Sequence, residues 1–136
     1  MSLDGILHLE VSDHPFNGEE FTQFVVGVLD RMQPWPLPNS VLVIDNASIH
    51  HVPGIRELVE ARGMKLLFLP AYSPDLNPIE EAFSAIKSWL RHNRDYVLLE
   101  TEGPLCDPYA LFWEVIYTVV TPQKARGWYR HSGYIA

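Results

Sequence analysis

The feature that most constrains the fold is a run of apolar residues, Val41 to Ile44, that leads directly into Asp45. Because the run does not alternate with polar residues, it predicts a strand with both faces buried inside a parallel or mixed sheet. Ligands of open α/β sheets bind beyond the carboxyl ends of the strands, which is the position of Asp45. Turn formation is the alternative, with Asp45 or Asn46 capping Ser48 or Ile49.

The flanking sequence predicts further strands that alternate with helices. Strands are predicted for residues 5–13, where "GILHLEVSD" has a period of two, and for residues 65–70. Helices are predicted from a capping box at Asn17 and Glu20 to Met32, from Pro53 to Ala61, from Asn77 to about Arg94, and from Asp107 and Thr121 onward. This order indicates an α/β fold with a mixed sheet flanked by helices.

A second candidate site segment is "YSPDLNPIEEAF", where the acidic residues Glu80 and Glu81 lie in the first turn of the predicted long helix. With Asn77 as N-cap and Pro78 next to it, Glu80 occupies the capping-box position, which explains an acid there without catalysis. The apolar stripe of the helix predicts that Glu81 faces solvent and Glu80 lies on the flank. Glu80 is therefore the acid expected to join Asp45.

Carboxylates that converge at strand ends suit Mg²⁺ or Mn²⁺, which prefer oxygen ligands. Such metals activate a water or hydroxyl for phosphoryl displacement. His50 and His51 have no Cys or His partners at zinc-like spacing, so one of the pair is expected to pack or cap near the following helix. Asp75 is expected to be a turn residue rather than a ligand.

Composition limits the class of protein. The 136 residues suit one domain, and a net charge of −7 argues against a broad basic face that grips DNA. The lone Cys106 excludes an internal disulfide and fits a reducing compartment. No apolar run approaches the ~20 residues of a membrane span, and the N-terminal residues lack the features of a signal peptide. A soluble, intracellular protein is expected.

The segments "VLVIDNASIHH" and "LLFLPAYSPDLNPIEEAFSAIK" resemble the DDE transposases of the mariner superfamily. In that family an aspartate-asparagine motif lies on a central strand, and "YSPDLNPIE" opens a helix. The 34 residues between Asp45 and Glu80 match the spacing of the family. The resemblance covers about residues 4–95.

The resemblance implies a ribonuclease-H-like fold and DNA strand cleavage and joining that depends on Mg²⁺ or Mn²⁺. By position, Asp45 is the second catalytic acid and Glu80 the third, and both are metal ligands. Asn46 and His50 match motif positions without an assigned role. The implied partners are the DNA of transposon ends and targets and, in the full-length protein, a second copy of the chain. The implied location is the nucleus of a eukaryotic host, or otherwise the cytoplasm.

The chain departs from the family at the first catalytic aspartate, which lies on the first strand of the family's sheet. Residues 5–11 resemble the third strand, and neither Asp4, Glu10 nor Asp13 is expected to substitute. We therefore expect residues 1–136 to be the C-terminal part of a catalytic domain, truncated at its N-terminus, with a helical extension over residues 96–136. Such a fragment is expected to be inactive and to expose an unpaired sheet edge. The alternative is a noncatalytic interaction module derived from a transposase.

Overall fold

The computed structural model describes residues 1–47, 51–103 and 107–136. The roles expected of Ser48, Ile49, His50 and Cys106 therefore lie outside the described residues. The chain forms two compact units, one of residues 12–73 and one of residues 1–11 with 74–136. Within the described ranges, every helix is too short or too polar to cross a membrane.

The unit of residues 12–73 contains a strand-helix-strand arrangement preceded by a helix. Its elements are α1 (Gly18–Leu29), β1 (Val41–Ile44), α2 (Ile55–Ala61) and β2 (Lys65–Phe68). The strands are parallel, with Val41 opposite Lys65 and Ile44 opposite Phe68. Parallel neighbours require a crossover, which α2 supplies. These elements confirm the predicted helices and strands of this region, although α2 begins two residues after Pro53 and β2 ends two residues before Pro70.

The capping box predicted at the start of α1 is confirmed. The Asn17 side chain accepts a hydrogen bond from the Glu20 backbone N–H at 2.9 Å, and the Glu20 carboxylate accepts one from the Asn17 backbone. The apolar face of α1 then packs with α2 and β2. The buried core of this unit consists of Phe21, Val25, Leu29, Ile55, Val59, Met64 and Leu66.

The sheet is smaller and more exposed than predicted. In the described residues it has two parallel strands, and residues 5–13 form no strand, so the predicted mixed sheet is wrong. Near the N-terminus there is an isolated bridge between Ser2 and Gly5. The prediction that both faces of β1 are buried is also wrong, because Val41 is 37% exposed and the other three residues are half-buried. A parallel strand is fully enclosed when both of its edges and both of its faces are covered, and β1 has one neighbouring strand among the described residues.

The other unit is helical. After a short 3₁₀ helix at Pro74–Leu76, it contains α3 (Pro78–His92), α4 (Arg94–Thr101), α5 (Pro108–Val119) and α6 (Pro122–His131). The predicted starts of α5 and α6 are confirmed, since Asp107 and Thr121 accept hydrogen bonds from the first-turn N–H groups. The sequence predicted a helical extension over residues 96–136 but did not predict α4 as a separate helix. The core of this unit contains Leu111, Val115 and Val119, against which residues of α3 and α4 pack.

Candidate functional site

Asp45 lies where the sequence placed it, directly after the last residue of β1. Its side chain is half-buried, and Oδ1 accepts a hydrogen bond from the Ala47 backbone N–H at 3.2 Å. An aspartate that caps the residue two positions later closes a local turn. This contact holds the carboxylate in one orientation relative to its own turn.

A histidine holds the next residue of the same turn. Nε2 of His51 donates a hydrogen bond to Oδ1 of Asn46. The imidazole also stacks on the Phe68 ring, with 4.3 Å between centroids and 14° between planes. The prediction that one of the two histidines packs near the start of α2 is thus confirmed for His51.

An arginine that sequence reasoning missed lies on the same aromatic ring. The Arg56 guanidinium carbon is 5.8 Å from the Phe68 centroid, within cation–π range. Its Nη1 donates to the Leu66 carbonyl at 3.4 Å and lies 3.7 Å from the Glu60 carboxylate. The α-helical spacing of Arg56 and Glu60 was visible in the sequence, but the approach of Arg56 to β2 depends on how α2 packs.

Glu80 lies in the first turn of α3, and the predicted capping box does not form there. The Asn77 side chain accepts from the Ile79 N–H at 3.4 Å instead of the Glu80 N–H. The Asn77 backbone N–H donates to the Pro74 carbonyl at 3.1 Å, so it is already occupied. Glu80 is exposed, and among the described residues of its own unit its carboxylate has no hydrogen-bond or ion-pair partner. Capping therefore does not account for an acid at position 80.

Glu81 is more enclosed than Glu80, so the predicted order of exposure of the two glutamates is wrong, although the Glu81 side chain is still 42% exposed. Its Oε1 lies 3.1 Å from Nδ1 of His131, and its Oε2 is buried without a hydrogen-bond partner among the described residues. Both α5 and α6 pack on α3, where Ala82 is 2% exposed and Phe83 is 48% exposed. The buried face of α3 is thus rotated from the stripe of large apolar residues used for the prediction.

The C-terminal residues contact the segment that leads into α3. Oη of Tyr134 donates a hydrogen bond to the Leu76 carbonyl at 2.7 Å. Tyr134 also packs edge-on against Tyr129, with 5.6 Å between ring centroids. Burial raises the pKa of Tyr129 to about 12, and its hydroxyl donates to the Met1 carbonyl at 2.8 Å. Nothing in the sequence pattern signalled the contact with Leu76, because the two partners lie 58 positions apart in the chain.

The two predicted acids belong to different units, Asp45 to residues 12–73 and Glu80 to the helical unit. Their joint role in metal binding therefore stays a prediction. Across residues 1–47, 51–103 and 107–136, no three His, Cys, Asp or Glu side chains form a group that could hold a metal ion. The donor chemistry of the two carboxylates nevertheless fits Mg²⁺, which is often bound by one or two carboxylates together with waters and substrate phosphates.

Comparison with known proteins identifies the family. Residues 1–101 match a family model described as DDE superfamily endonuclease, and this range contains both Asp45 and Glu80. No curated protein and no solved structure matches the chain. The match supports the resemblance seen in the sequence at the level of the superfamily, and it indicates a nuclease of the transposase type.

Proposed function

The chain belongs to the DDE superfamily endonucleases, and from that premise we propose that it derives from a mariner-type transposase that cleaves and joins DNA strands with a divalent metal. Asp45 and Glu80 are its second and third catalytic acids, and Mg²⁺ or Mn²⁺ is its cofactor. The proposal rests on the family match, which spans both acids. The ribonuclease-H-like fold and the homodimer of the full-length protein are parts of the same proposal.

The chemistry of the chain's own residues supports this role. The carboxylate of Asp45 is oriented by the Ala47 N–H, and that of Glu80 is exposed and not engaged within its own unit. Both groups are hard oxygen donors, which suit Mg²⁺ and Mn²⁺. A bound divalent metal would supply activation of the attacking oxygen and stabilisation of the leaving oxygen of a phosphodiester. It would also offset the repulsion between DNA and a chain of net charge −7.

We further propose that residues 1–136 are the C-terminal part of a catalytic domain, and that the chain alone does not cleave DNA. This proposal rests on the resemblance, in which none of Asp4, Glu10 and Asp13 is expected to take the place of the family's first catalytic aspartate. A noncatalytic interaction module derived from a transposase is the competing proposal. The two differ in whether Asp45 and Glu80 are used to bind a metal.

Mn²⁺ binding to the 136-residue chain tests the proposal. Titration calorimetry would compare the wild type with Asp45→Asn and Glu80→Gln, using Glu57→Gln and Asp75→Asn as charge-matched controls, one in each unit. We expect each active-site substitution to weaken binding at least about tenfold, equivalent to about 1.4 kcal/mol, and each control to leave the Kd unchanged. Mn²⁺ binding that is absent from the wild type, or indifferent to both substitutions, would refute the metal site and favour the noncatalytic module.

A further inference from the structure

We infer that His51 is a positioning residue for Asp45, acting through Asn46. No role follows for His51 from the family resemblance, whose motif histidine matches His50. The positioning itself rests on contacts within residues 12–73. Its consequence for metal binding rests on the proposed function.

The contacts form a closed ring that returns to the strand from which Asp45 emerges. Ile44, the last residue of β1, lies opposite Phe68 in the parallel register. The Phe68 ring carries the stacked imidazole of His51, and Nε2 of that imidazole donates to Asn46. Asn46 is covalently joined to Asp45, which follows Ile44. The turn is thereby fastened to the neighbouring strand as well as to its own.

Each contact in the ring constrains a different freedom. The hydrogen bond between the Asp45 carboxylate and the Ala47 N–H fixes the carboxylate within the turn, but it does not fix the turn relative to the sheet. The hydrogen bond from His51 to Asn46 supplies that second constraint. The near-parallel stack on Phe68 sets the plane of the imidazole and therefore the direction in which Nε2–H points. Supporting hydrogen bonds of this kind orient metal ligands.

The exposure of the residues also favours a positioning role over a purely structural one. His51 and Asn46 are both exposed, and neither belongs to the buried core of the unit. Loss of their hydrogen bond should therefore leave the core intact. Loss of this hydrogen bond is expected mainly to change the orientation of the adjacent Asp45 carboxylate.

Two substitutions at one position separate the two contacts. His51→Phe retains an aromatic ring for the stack on Phe68 and removes the donor. His51→Gln retains an amide donor and removes the ring. Asn46→Ala removes the acceptor at an exposed position where the fold is not at risk, and His92→Phe, in the other unit, serves as a control for loss of a surface histidine.

The first measurement is the hydrogen-exchange rate of the Ala47 amide without metal, which is monitored by NMR on the full 136-residue chain. Because this N–H donates to Asp45, its exchange rate reports how firmly the carboxylate is held. We expect about fivefold faster exchange in His51→Phe and in Asn46→Ala, and an intermediate rate in His51→Gln, which keeps a donor but loses the stack that orients it. The Leu69 amide, which donates to the Ile44 carbonyl at 2.8 Å, should be unchanged and verifies that the strands remain paired.

The second measurement is the Kd for Mn²⁺ of the same variants. We expect about tenfold weaker binding in His51→Phe, partial recovery in His51→Gln, and no change in His92→Phe. Ala47 exchange that is unaffected in both His51→Phe and Asn46→Ala overturns the inference. Faster exchange with an unchanged Kd also overturns it, because His51 would then stabilise the turn without positioning a ligand.

The two measurements keep the inference distinct from the proposed function. If the wild type binds no Mn²⁺ through Asp45, the proposed function fails, whereas the exchange of Ala47 still decides whether His51 holds the turn. If the wild type binds Mn²⁺ through Asp45 and His51→Phe has wild-type exchange and affinity, the proposed function stands and the positioning role is refuted.

Discussion

The substitution Val59→Ala tests the core that supports Asp45, because Val59 is fully buried where α2 packs in the unit of residues 12–73. Truncation removes two methyl groups, worth about 1.6 kcal/mol at about 0.8 kcal/mol each. A cavity penalty adds to this loss, and the higher helix propensity of alanine offsets about 0.5 kcal/mol. We therefore expect the free energy of unfolding to fall by about 2 kcal/mol.

Val41→Ala is the matched control, since it deletes the same two methyl groups from a residue of the same unit that is 37% exposed. Partial exposure removes part of the transfer term, and an open site leaves no closed cavity, so the expected loss is at most about 1 kcal/mol. Urea denaturation followed by far-ultraviolet circular dichroism measures both values. A loss for Val41→Ala equal to or greater than that for Val59→Ala would refute the idea that burial in this core determines the cost.

Three further predictions concern the helix cap, pH and activity. Asn17→Ala breaks a reciprocal capping box and is expected to lower the free energy of unfolding, measured by urea denaturation, by about 1 kcal/mol. Asn77→Ala should lower it by less, because its single cap hydrogen bond is longer. A larger loss for Asn77→Ala than for Asn17→Ala would contradict this prediction. Hydrogen bonds with Asp13 and then Glu20 raise the pKa of His14 above its ordinary value of 6.5. Protonated His14 therefore stabilises the folded state fully below pH 6.5, and this contribution is lost as the pH rises through the raised pKa. His14→Gln should therefore lower the urea midpoint at pH ~5.5 and leave it unchanged at pH ~9, and an equal decrease at both pH values would exclude this ion-pair contribution. Finally, the chain is expected to show no Mg²⁺- or Mn²⁺-dependent cleavage of supercoiled plasmid DNA. Reproducible metal-dependent nicking that Asp45→Asn abolishes would show that the chain is active.

Local signals in the sequence predicted the beginnings of elements well. The caps at Asn17, Asp107 and Thr121 were identified because a capping interaction joins residues two or three positions apart. The place of Asp45 after β1 was identified because the apolar run ends there. These features depend on neighbours in the chain, which a sequence displays directly.

Patterns that require a distant partner predicted less well. Residues 5–13 alternate like a strand, but a strand exists only where another strand pairs with it, and none of the described residues does so. The apolar stripe of α3 indicated the wrong outward face because α5 and α6 decide which side is covered. Glu81 consequently lies beside His131 with its side chain 42% exposed, and Glu80 is the more exposed of the two glutamates.

The sequence by itself determined the family, the order of helices and strands from α1 to α3, and the two acids that the family match contains. It could do so because signature residues and caps are local. Only the tertiary structure decided that His51 stacks on Phe68 and holds Asn46, and that Tyr134 binds the Leu76 carbonyl. The contacts of His51 with Phe68 and of Tyr134 with Leu76 join residues 17 (68 − 51) and 58 positions apart, and packing geometry rather than residue type brings them together.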